Sequence, residues 1–239
     1  MTDPAADAHP DPSPRDHHHQ DESPFSADLT GISAQEFWDE HYGEQEQRFS
    51  GRPNVSLIDL VAELAPGTAL DLGAGEGGDA IYLAGLGWQV TAVDVSATAL
   101  ARLTAAAEQA GVASLITIQC RDLAASFPAG TFDLVSAAYL HSPIELPLGR
   151  VLPAAAAAVA PGGRLLVLGH AALPPWAGHH DDVSFPSVAD ILAEIALAPA
   201  DWQVEVADIW EREATGRNGV SGTLSDSVVL ARRQGASVG

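Results

Sequence analysis

Residues 69–96 read ALDLGAGEGGDAIYLAGLGWQVTAVDVS. Ala69, Leu70 and Leu72 form the end of an apolar run, and Gly73, Gly75, Gly77 and Gly78 follow at once. Asp79 to Leu86 carries helical spacing, with Ile81, Leu83 and Leu86 apolar, and Val90 to Val93 is a second apolar run closed by Asp94. Strand, glycine turn, helix and strand in that order predict a βαβ nucleotide-binding unit. The glycines suit it because a strand that bends directly into a helix leaves no room for Cβ atoms, and their absence admits a ligand to the backbone. Asp94 falls 21 residues after Gly73, the spacing at which an acidic side chain meets the two ribose hydroxyls.

Gly73, Gly75 and Gly78 also satisfy the literal G-x-G-x-x-G of a nicotinamide or flavin site. Two features argue for a different ligand. Asp71 lies two residues before the first glycine, where its carboxylate would face the pyrophosphate of a dinucleotide and repel it. Glu76 and Asp79 open the helix and compete with a phosphate for the positive end of the helix dipole. A ligand with an ammonium group and no phosphate fits better, and S-adenosylmethionine has both properties.

D-L-G-A-G-E-G followed by V-D-V-S resembles the class I S-adenosylmethionine-dependent methyltransferases. The resemblance implies a single Rossmann-like, doubly wound α/β domain: a seven-stranded sheet with an antiparallel last strand and helices on both faces. It implies S-adenosyl-L-methionine as cofactor, with Asp71 acting on the methionine ammonium. Gly73, Ala74 and Gly75 admit that end of the ligand, Asp94 and Val95 lie at the ribose, Asp122 and Leu123 at the adenine, and Ala138 beside the methyl group. Phe132-Asp-Leu-Val135 and Pro161-Gly-Gly163 match further family patterns. The layout looks like the small bacterial methyltransferases grouped with the tellurite-resistance and thiopurine enzymes. That likeness, over about residues 35–233, implies a small-molecule methyl acceptor.

Along the chain, residues 1–30 hold five prolines and seven acidic residues against one arginine and read as a disordered acidic tail, followed by a methyltransferase domain over 31–239. His9 and His17 to His19 lie in the tail without a ligand framework around them. Ser33-Ala-Gln-Glu36 has the form of a capping box, and the helix behind it carries Phe37, Trp38, His41 and Tyr42. A second helix is expected from Pro53 or Asn54 to Leu64. In the family such helices lie over the cofactor, which makes Trp38, Tyr42 and Arg52 candidate acceptor-side residues. Ser96 should cap a helix over 97–110, and a third strand should cover 114–120. The single cysteine, Cys120, falls in the apolar run from Ile116 and reads as a core thiol.

The fourth strand is expected over Thr131–Tyr139, with Tyr139 and His141 at its carboxyl end, and a fifth over Leu165–Gly169, followed by His170. Pro153 to Ala160 should complete an alanine-rich helix, broken by Pro161-Gly-Gly-Arg164. Ligands in open α/β sheets bind outside the carboxyl ends of the strands, so His141 and His170 are candidate general bases. Each is equally readable as a hydrogen-bonded wall residue. Gln203–Trp210 and Ser227–Ala231 read as the last two strands, joined by an exposed polar connection over 211–224. His179, His180, Asp181 and Asp182 read as polar loop residues, and no metal is expected.

Composition frames this reading. The chain has 239 residues, 46% hydrophobic, with a net charge of −21 from 32 acidic residues against 11 arginines and no lysine. Such a surface repels phosphate backbones, so neither nucleic acid nor an anionic membrane is expected as partner. No apolar stretch reaches a membrane span, and no signal peptide is visible. The expectation is a cytoplasmic bacterial enzyme, monomer or homodimer. Two alternatives remain: a non-catalytic S-adenosylmethionine-binding regulator, and an NAD(P)-dependent oxidoreductase.

Overall fold

The computed structural model describes residues 29–45, 47, 50–177, 184–216 and 219–235. Gly31 to Gly239 form one compact unit. Its elements run α1 (Ala34–Gly43), α2 (Val55–Val61), β1 (Thr68–Leu72), α3 (Gly78–Gly85), β2 (Gln89–Asp94), α4 (Ala97–Gln109), a short 3-10 turn (Ala113–Leu115), β3 (Ile116–Cys120) and β4 (Phe132–Ala138). There follow α5 (Leu148–Ala157), β5 (Val159–His170), α6 (Val188–Ile195), β6 (Trp202–Thr215) and β7 (Ser221–Arg233).

The strands make one seven-stranded sheet in the order β3-β2-β1-β4-β5-β7-β6. The first five are mutually parallel, and β7 runs antiparallel to both of its neighbours. This is the expected doubly wound sheet. Strand order reverses between β1 and β4, so the crevice for a ligand opens at the carboxyl ends of those two strands.

The period of two along each strand sorts side chains into two cores. Leu70, Leu72, Val135, Ala137, Leu165 and Val167 pack under α5 and α6. Ala69, Leu134, Leu166, Leu168, Val228 and Leu230 pack under α2, α3 and α4. The alternation continues past the apolar residues. Asp71, Ser136, Ala138, His170 and Asp226 fall on the second face, at the end of the sheet where the parallel strands finish. One face therefore carries both a core and, at its rim, a row of polar groups.

Four expectations need correction. Helix α2 stops at Val61 rather than Leu64. Helix α5 ends at Ala157 rather than Ala160. Pro161-Gly162-Gly163 therefore breaks no helix; it is an irregularity inside β5, where Phe132 pairs with Val159 and Leu134 with Arg164. A Cβ on Gly163 would stand 2.8 Å from the Asp133 carbonyl oxygen, so that close approach requires glycine. Residues 211–224 are mostly strand, not an open connection: β6 and β7 pair from Trp202↔Arg233 out to Thr215↔Ser221. Cys120 is exposed rather than in the core, because β3 is an edge strand that α4 covers only in part.

Candidate active site

The turn from β1 into α3 is built by local conformation. Gly73, Gly75 and Gly77 have φ of +74°, +52° and +87°, a region that side chains with a Cβ enter only with strain. The Asp94 carboxylate at the end of β2 locks the turn. Its Oδ2 accepts the Gly75 N–H at 2.8 Å and its Oδ1 accepts the Ser96 N–H at 2.8 Å. Burial raises the Asp94 pKa, opposed by the N–H groups of Ser96, Gly75 and Val95. Three N–H donors fill three of the carboxylate's four lone-pair sites, which leaves it able to accept from a hydroxyl as well.

Asp71 is the most exposed to conflict. It is buried, its Oδ2 has no hydrogen-bond partner, and it lies opposite Ser136, whose Oγ is also buried and unpartnered. Burial raises its pKa well above the usual carboxylate range, with Asp79 and then Asp94 adding repulsion. Asp79 is raised by burial too, although the Asn54 backbone and side-chain N–H groups each reach it at 2.7 Å. A buried, unpartnered acid beside two others calls for a cation.

Helix α1 roofs this turn. The capping box predicted at Ser33 and Glu36 is present. Asp39 Oδ1 accepts the Ser96 hydroxyl at 2.7 Å and the Thr98 N–H at 2.9 Å, so α1 caps the start of α4 from outside. Arg102 on α4 donates to Glu76 at 2.7 Å and to the Tyr42 and Gln45 carbonyls. Trp38 Nε1 donates to Ser142 Oγ at 3.2 Å, tying α1 to the loop after β4.

Between roof and sheet lies a cavity of about 440 Å³. Its lining includes Asp71, Gly73, Ala74, Gly75, Asp94, Val95, Asp122, Leu123 and Ala138. It also includes Trp38, Tyr42, Arg52, Tyr139, His141 and His170. The structure thus brings every candidate site residue to one cavity. Asp122 Oδ1 accepts the Ala124 N–H at 2.7 Å. His179, His180, Asp181, Asp182 and the tail histidines lie outside the described residues.

Residues 69–163 match the family described as a methyltransferase domain. The matched region and the sheet order are those of the class I, S-adenosylmethionine-dependent methyltransferase fold. No curated protein matches the sequence. Solved structures share the methyltransferase fold. One, from work on the conversion of a disulfide bond into a thioacetal group during echinomycin biosynthesis, is 23% identical over 86% of this chain and 94% of its own, with a TM-score of 0.64. TehB from Haemophilus influenzae is 18% identical over 84% of this chain and 67% of its own, at 0.59. The glycopeptide N-methyltransferase MtfA, solved with S-adenosylmethionine, is 18% identical over 78% and 96%, at 0.53.

The far end of the cavity holds a cluster that sequence reading missed. Arg212 lines the cavity, and its Nε donates to Asp226 Oδ2 at 2.6 Å. Arg212 Nη2 lies 3.4 Å from the Tyr139 hydroxyl. His170 Nδ1 is 3.6 Å from Asp226 Oδ1. Burial works against the Asp226 carboxylate, but His170, Arg212 and Tyr139 hold its pKa below the usual value. Tyr139 is pushed well above its usual pKa by burial and the Asp226 charge, and its φ of +50° is strained for a residue with a Cβ. His141 Nε2 is buried without a partner, and burial followed by the neighbouring His170 lowers its pKa. Arg212 escaped notice because its segment is polar and rich in glycine. The available signal was the strict alternation Trp210, Arg212, Ala214.

Proposed function

We propose that this protein transfers a methyl group from S-adenosylmethionine to a small-molecule acceptor held in the cavity beside His141 and His170. The unpartnered Asp71 carboxylate carries the reading: it is a buried acid that a ligand ammonium would satisfy. On this reading Gly73, Ala74 and Gly75 admit the methionine end, Asp94 and Val95 hold the ribose, and Asp122 and Leu123 meet the adenine. Ala138 lies next to the methyl group, with Trp38, Tyr42, Tyr139 and Arg52 around the acceptor.

When bound, the cofactor supplies a methyl group on a sulfonium, whose leaving group is a neutral thioether. The protein's task is to desolvate the acceptor, align it and receive its proton. His141 is suited to the last of these, because it lines the cavity and burial lowers its pKa, which favours the neutral imidazole. The roof formed by α1 supports a small acceptor over a polymer, since Trp38 and Tyr42 line the cavity from it. An open cavity at the sheet's carboxyl edge favours catalysis over a purely regulatory role. No helix among the described residues is long and apolar enough to cross a membrane. We take the protein to act in the bacterial cytoplasm as a monomer or homodimer.

The test is calorimetric titration with S-adenosylhomocysteine beside NAD and NADP, repeated on Asp94→Ala. Micromolar binding of S-adenosylhomocysteine alone, lost in the variant, is the expected result. Binding of a nicotinamide instead would overturn it. Cofactor binding with no turnover of any thiol, hydroxyl or amine acceptor would leave a binding regulator.

A further inference from the structure

We propose that Arg212 anchors a carboxylate on the methyl acceptor, with Asp226 and Tyr139 holding its guanidinium against the cavity wall. The proposal rests on the methyltransferase reading of the same cavity and adds the class of substrate: a small carboxylate that also bears a hydroxyl, thiol or amine.

The sheet builds this subsite. Asp226 on β7 is in register with His170 on β5 and with Trp210 on β6, two residues before Arg212. All lie on the face whose rim forms the cavity. Asp226 is fully buried, so its charge has to be matched from within. One oxygen takes the Arg212 Nε–H at 2.6 Å, and the other faces His170. A guanidinium has five N–H donors in a rigid fork. Arg212 commits Nε to Asp226 and one Nη2 donor to Tyr139. The remaining donors belong to a side chain that is 27% exposed at the cavity. A planar fork fixed from behind by a carboxylate matches the two oxygens of another carboxylate in front.

The surroundings agree with an anion. Burial and Asp226 push the Tyr139 pKa up, so that hydroxyl adds no negative charge to the subsite. His141 and His170 stand close by, with ring centroids 6.1 Å apart. Glu145 also lines the cavity but is exposed to solvent. Asp71, Asp79 and Asp94 are grouped at the glycine turn, where the cofactor ammonium belongs. The two ends of the cavity therefore differ in the sign of charge they accept.

The experiment is calorimetry on the full chain saturated with S-adenosylhomocysteine. The probes are aromatic and aliphatic hydroxy-, mercapto- and amino-carboxylates, each beside its primary amide. At least one acid is expected to bind roughly tenfold or more tighter than its amide, the gain from charge-assisted hydrogen bonds. The double variant Arg212→Gln with Asp226→Asn removes both charges together and so strands neither. In it the acid-to-amide ratio should fall to about one, with S-adenosylhomocysteine affinity unchanged. A merely structural ion pair would leave that ratio alone. Equal binding of acids and amides by the unmodified protein, no acid bound at all, or a ratio insensitive to the double variant would each overturn the proposal. Failure to bind S-adenosylhomocysteine is a separate result, which removes the methyltransferase reading as well. Thermal melting shows whether the double variant is folded, and Arg212→Lys, which keeps the charge without the fork, should retain part of the preference.

Discussion

At the scale of single residues, the cofactor turn is a place where the protein works against its own stability. Asp71, Asp79 and Asp94 are raised above their ordinary range by burial and, for Asp71, by one another. The native chain then holds protons that the unfolded chain has already released. Stability of the ligand-free protein should fall as pH rises from the ordinary carboxylate value through that raised range. Asp71→Asn should flatten part of this slope and raise the neutral-pH melting temperature while weakening S-adenosylhomocysteine binding roughly tenfold or more. Melting curves across pH, with and without ligand, test both halves; a variant that loses ligand and stability together would contradict the account. Gly75→Ala belongs here too. Its φ is +52°, and a Cβ would stand 2.8 Å from the Tyr42 hydroxyl, so a loss of about 1–2 kcal/mol is expected from denaturant unfolding.

At the scale of elements, the seven strands and most helix starts were legible because each is marked locally. Apolar runs end in glycine or an acid, and Ser33 and Ser96 accept hydrogen bonds from the first turns of α1 and α4. What was not legible depends on partners distant in sequence. The Pro161–Gly163 bulge exists because the Asp133 carbonyl approaches it, and the outer part of the β6–β7 hairpin exists because each half pairs with the other. Arg212 and Asp226 carry no motif; only the register of β5, β7 and β6 brings them to the cavity. Two predictions follow from elements. Arg212→Ala leaves Asp226 buried and unpaired and should cost roughly 3 kcal/mol in equilibrium unfolding, more than any exposed arginine. Asp39→Ala removes the outside cap that joins α1 to α4 and should cost about 1 kcal/mol. Its larger effect should be faster proteolysis between α1 and α2 and a raised acceptor KM. Thr98, Ser96 and Gln35 hold the Asp39 carboxyl below its ordinary value despite partial burial. The contribution of that cap is therefore present above the ordinary carboxylate range and is lost as pH falls through the lowered value.

At the scale of the whole molecule, the chain has a net charge of −21, while the far wall of its cavity offers arginine. Self-repulsion of that charge is screened by salt. Melting temperature should rise by a few degrees between about 20 mM and about 500 mM sodium chloride. An anionic acceptor approaches against the same field, so its association rate should also rise with salt even though its final contact is with a cation. A neutral amide analogue should show no such acceleration in stopped-flow mixing.

The chain has one thiol, and it is exposed at the end of the strand beside the one that carries Asp94. Cys120 Sγ lies 3.5 Å from the Val95 carbonyl oxygen, one residue before Arg121 and Asp122. A maleimide dye would attach at a single known address on the rim where adenine is expected, without any prior removal of competing cysteines. Burial and the nearby Asp39 and Asp94 charges raise the thiol pKa, so coupling should be slow at neutral pH and brisk in mild alkali. The molecule arrives already prepared as an optical reporter of its own ligand.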